Sequence, residues 1–234
     1  MTTTTRHRFL AAGLALASVL GVAGTASAAG AEREIDLAAA KARCVEAITV
    51  RHREIATLNG LAGSAASLTD AHEATIHSFL SAADSGLTAL QATIEADTDP
   101  AALRAHCESI ATDYRIFALR SPQVHLAIGG DKAAAAITKS AGIVTRLENA
   151  IEAAAAAGED VTAATAALAD MKAKLADASA VLSGVVDTEL GFTPADWNAN
   201  HSVLAPTTAA LRTVKGDLQA AVADARAIIA DLKD

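Results

Sequence analysis

The chain has 234 residues and a formal net charge of −8; 52% of its residues are apolar and only 3% aromatic. Such an acidic balance, with no basic run to grip phosphate, argues against nucleic acid and against anionic lipid as partners. Alanine dominates the apolar share. It is the best helix former but buries little surface per residue, so the composition calls for long, closely packed helices.

Residues 1–28 read as a secretory signal peptide. Arg6, His7 and Arg8 precede an apolar run from Phe9 to Val22, and Ala26-Ser27-Ala28 is a small-x-small cleavage site. Cleavage there would remove two arginines and no acid, leaving a mature chain of net charge −10. Mean hydropathy is +0.30, yet no later stretch is long and apolar enough to span a bilayer. The sequence therefore predicts a secreted or cell-wall-associated chain with no membrane span after cleavage.

The first predicted helix runs from about Ala31 to Leu61, with Leu37, Cys44, Ile48, Ile55 and Leu58 on one stripe. Thr69 is a cap for the second, whose stripe is Ile76, Leu80, Ala83, Leu87, Leu90 and Ile94. Asp99-Pro100 opens the third, which carries Leu103, Cys107, Ile110, Tyr114, Phe117, Val124 and Ile128. That stripe keeps its register through Pro122, so a kink is expected there and a break at Gly129-Gly130. A shifted stripe resumes as Ile137, Val144, Leu147 and Ile151.

The fourth predicted helix spans about Asp160 to Leu190, with Leu168, Met171, Leu175, Ala178, Leu182 and Val185 at heptad spacing. Thr193-Pro194 opens the fifth, which Pro206 bends or restarts, with Leu211, Val214, Leu218, Val222, Ala225 and Ile229 on its stripe. No alternating strand pattern occurs. The expected architecture is all-α: long antiparallel helices in two tandem, spectrin-like three-helix bundles sharing a central helix, over residues 29–128 and 129–234. A single long bundle is the alternative.

Two cysteines in an exported chain predict a disulfide, Cys44–Cys107. In an up-down-up bundle the two lie at depths differing by only ~8 Å at the helical rise. Nothing has C-x-x-C spacing, so the reading is a staple and not a redox centre.

The tandem arrangement would bring three chemically rich segments to the middle of the rod: Gly63–His72, Arg120–Asp131 and Gly191–His201. They hold His72, His125, Asp131, Asp196, Trp197 and His201, a candidate set for a metal or small ligand. The same residue types also cap helices and fill junctions, and that structural reading carries more weight. No nucleophile elbow, zinc-protease helix, phosphate loop or dinucleotide fingerprint occurs. No cofactor is implied.

Two stretches, Asp113–His125 (DYRIFALRSPQVH) and Leu190–Asn198 (LGFTPADWN), resemble segments of exported, Ala-rich helical proteins of high-GC Gram-positive bacteria, and Leu211–Ala221 is similar to theirs too. The resemblance implies an exported helical protein and carries over no catalytic residue. The expected function is non-catalytic: interaction with a protein or glycan at the cell envelope or outside the cell. The alternative is binding of a metal or small ligand at the inter-bundle junction.

Overall fold

A computed structural model describes residues 36–233; the expected signal peptide lies outside them. The described chain is all-α, as expected, with no strand among these residues. Helix α1 (Leu37–Ser64) starts where the Asp36 carboxylate accepts from the Ala39 amide. Helix α2 (Asp70–Ala96) is capped by Thr69, with Asp70 and Glu73 in the positive first turn. Helix α3 (Pro100–Thr112) opens on Asp99 as cap and Pro100 in its first turn.

From here the chain departs from the expected long third helix. It breaks at Arg115, whose φ of 44° is left-handed, and passes through a π-helical turn, Ile116–Arg120. Helix α4 (Ser121–Ala156) then runs unbroken. Pro122 sits in its first turn, where the missing N–H is no loss, so it starts a helix and does not kink one. The expected break at Gly129-Gly130 does not occur, because Gly130 serves close packing. A Cβ there would lie 2.4 Å from Val186 Cγ2, so only glycine lets that neighbour approach.

The fourth expected helix also divides. Helix α5 (Thr162–Leu182) ends before Gly184, whose φ of 69° turns the chain into the short α6 (Val185–Leu190). Thr193 and Asp196 form a reciprocal capping box on α7 (Pro194–Ala199). Helix α8 (Ala205–Asp231) restarts with Pro206 in its first turn.

Residues 36–233 belong to one compact unit with two main apolar cores. The first gathers Ile48, Ile55, Leu58, Ile76, Leu80, Leu87, Ile94, Leu103 and Ile110 of α1–α3 with Val124 and Ala127 of α4 and Val186 and Leu190 of α6. The second joins Leu147 and Ile151 of α4 to Leu168, Met171 and Leu175 of α5 and to Ala221 and Ile228 of α8. Helix α5 packs far more extensively on α8 than α4 does on either. Cys44 and Cys107 are disulfide-bonded with Cα atoms 5.6 Å apart, fastening α1 to α3 beside the first core.

Candidate functional site

The region between the two cores is built by small residues and a turn. Gly184 folds α6 back so that Val186 seats on Gly130 of α4. This brings Asp187 and Glu189 of α6 beside the start of α2 and the first turns of α4.

Asp131, buried on α4, accepts from the Thr69 amide at 2.7 Å and from His72 Nδ1 at 2.8 Å. The other edge of the His72 ring, Nε2, lies 3.0 Å from Asp187 on α6. One imidazole thus joins α2, α4 and α6. Burial pulls the His72 pKa down, but hydrogen bonds and charges from Asp131 and Asp187 more than offset it, and the net shift is upward. A protonated ring donates from both nitrogens, one to each carboxylate. The Asp187 arm is open to water and weak; the Asp131 arm is buried and is the stronger.

A second polar group lies on the same junction. Gln123 is fully buried, and its Nε2 donates to the carbonyls of Glu189 at 2.6 Å and Phe192 at 3.0 Å. Arg120 Nη1 donates to Gln123 Oε1 at 2.9 Å and to the Phe192 carbonyl at 3.1 Å. Its guanidinium lies 4.4 Å from the centre of the Phe79 ring, in cation–π contact. Glu189 is buried with neither carboxylate oxygen hydrogen-bonded. Burial pushes its pKa up to about 9, so it is a neutral acid at pH 7.

The three segments expected to converge do meet, through His72–Asp131 and Arg120–Phe192. The candidate set within them does not assemble as one site. Asp196 is an exposed helix cap. The rings of Trp197 and His201 meet at a tilt of 31°, centres 5.7 Å apart, and Trp197 packs against the small cluster of Leu119, Val203 and Leu204. His125 is exposed. Among the described residues no group of three or more His, Cys, Asp or Glu is placed to hold a metal ion. His72 cannot readily serve as a ligand while both ring nitrogens face carboxylates. Away from the junction, His52 of α1 is partly buried against Asp84 of α2.

Asp187, Gln123 and Glu189 were not among the candidates. A signal for Glu189 existed: it falls three residues after Val186 and four after Val185, a position on an apolar stripe. Beside the junction lies an open cleft of about 460 Å³, where Phe79, Arg120 and Phe192 meet the hydroxyls of Thr75, Ser78 and Thr193. No helix among the described residues is long and apolar enough to cross a membrane. Comparison with protein-family models, curated proteins and solved structures finds no match to this chain.

Proposed function

We propose that this chain is an exported, disulfide-stapled helical protein that acts by binding a protein or glycan at the cell envelope or outside the cell, without catalysis. The Cys44–Cys107 disulfide carries the reading, because such bonds persist in oxidising compartments. The leader-like residues 1–28 support it independently. The junction supports the non-catalytic part: its imidazole and carboxamide are spent on internal bonds between helices.

The test is the intact mass of the protein recovered from the culture medium of a high-GC Gram-positive host, expressed with its own N-terminus. The expected product is cut after Ala28 and two hydrogens lighter than the dithiol. An uncut, reduced chain retained in the cytoplasm contradicts the reading.

A second reading rests on the cleft at Arg120. A cation stacked on one aromatic ring, beside another ring and three hydroxyls, suits a small planar carboxylate. Benzoate protection of Arg120 from guanidine-directed labelling would favour that reading, and no protection would remove it.

A further inference from the structure

The second core leaves a trough open between α4 and α8, about 830 Å³ in volume. Its walls are Ala133 and Ala136 on one side and Leu211, Leu218 and Val222 on the other. Val222 on its wall is 49% exposed, and the apolar surface extends past it to Ile229, 45% exposed on α8. From Leu211 to Arg226 the trough runs ~22 Å at the helical rise, and the ~16 Å of it between Lys215 and Arg226 matches an extended acyl chain of about twelve carbons.

Its charge is opposite to that of the whole chain. Three cations, Lys132, Lys215 and Arg226, line it, and no carboxylate does. Among the described residues the ion pairs made by lysine or arginine are Arg53–Glu46 and Lys172–Glu148, so none of the three is neutralised by an acid. Two of them are level. Gly129 packs against Leu211, a Cβ there lying 3.8 Å from Leu211 Cδ1. Helices α4 and α8 run in the same direction away from the junction, both ending in the second core. Lys132, three residues on, and Lys215, four on, therefore flank the trough at one height, near its junction end.

We propose that this trough binds a single-chain anionic amphiphile of the fatty-acid class. The carboxylate sits between Lys132 and Lys215, and the chain lies along Ala133, Ala136, Leu218 and Val222. Tail burial supplies most of the affinity, and the cation pair selects the sign of the head group. The net negative surface repels an anionic bilayer, whereas a monomeric amphiphile meets only the local positive rim. The proposal stands apart from export and from the junction.

The test is calorimetric titration of the disulfide-bonded chain with laurate below its micelle-forming concentration. Dodecyltrimethylammonium, acetate and an acidic amphipathic peptide serve as comparison probes. Laurate is expected to bind, and the other three are not. The double variant K132E/K215E is expected to weaken laurate by about tenfold or more and to admit the cationic amphiphile. Ala136→Trp, which fills the trough, is expected to abolish binding. Circular dichroism verifies folding, and if Ala136→Trp misfolds the charge-reversal variant decides. Equal binding of both amphiphiles, unchanged laurate binding in K132E/K215E, or no laurate binding overturns the proposal. Binding of the peptide in place of laurate overturns it in favour of a protein partner.

Discussion

The two cores of this molecule solve the same packing problem with different side chains. In the first, branched residues such as Ile48, Ile76 and Leu80 are wholly buried. In the second, Leu147, Ile151, Leu168 and Leu175 retain 6–8% of their surface, and the alanines Ala164 and Ala221 share the covered positions with Met171 and Ile228. Alanine lets α5 and α8 come close along their length but gives little for a third helix to grip. Helix α4 is therefore held at its ends, and the space between it and α8 stays open. The small side chains Ala133 and Ala136 that α4 turns toward α8 leave that groove unfilled, where larger knobs would close it.

The sharpest break in that comparison is the staple. The disulfide closes a loop of 63 residues in the first core only. Replacing Cys44 and Cys107 by alanine is expected to cost about 4 kcal/mol in denaturant unfolding, with the first core opening first. Truncations sharpen the contrast further. Ile76→Ala is expected to cost about 4 kcal/mol and Leu168→Ala about 2, since Ile76 is wholly covered and Leu168 keeps 7% of its surface. Equal costs would mean that the two cores are packed alike.

Between the cores, pH is the probe. Glu189 titrates near 4.5 when unfolded and near 9 when folded. The folded state then holds the extra proton across that window, and stability falls as pH rises through it. At pH 7 the loss is about 3 kcal/mol. Glu189→Gln carries no such proton, so its stability is expected to stay flatter between pH 4.5 and 9 than the parent's. His72 acts with the same sign by another route. Its pKa is raised on folding, so its contribution is complete below pH 6.5 and lost as pH rises through the folded value. His72→Ala is expected to cost about 2 kcal/mol at pH 5.5 and less at pH 8, by chemical unfolding at both. Smallest of all is His125→Ala. Its side chain is exposed, and a change beyond about 0.5 kcal/mol in the same measurement would mean that it has a partner.

Much of this fold is legible in the residues. The caps at Thr69, Asp99 and Thr193, the apolar stripes of α1 and α2 and the cysteine pair all read correctly, because each rests on local chemistry or on one repeated spacing. The breaks are not legible, because local spacing does not decide them. Gly129-Gly130 looks like punctuation, and only the approach of Val186, more than fifty residues away, makes Gly130 a packing residue. Arg115 in the left-handed region carries no local signal, since non-glycine residues rarely go there. His72 and Asp131 were placed together through topology. Asp187, which takes the other edge of His72, and the bonds from Gln123 to the Glu189 and Phe192 carbonyls have no sequence signal, because the turn at Gly184 that brings α6 back lies inside an apparently continuous helix. The trough was invisible, because a groove is made by what two helices fail to fill.

Hydrogen exchange along the intact, disulfide-bonded chain, with and without laurate, tests the contrast between the cores most directly. The expected result is strongest amide protection in α1 and α2, weaker protection in α4 beyond Lys132, and a gain on laurate confined to α4 and α8. Uniform protection across both cores, with no gain at the trough, would contradict it.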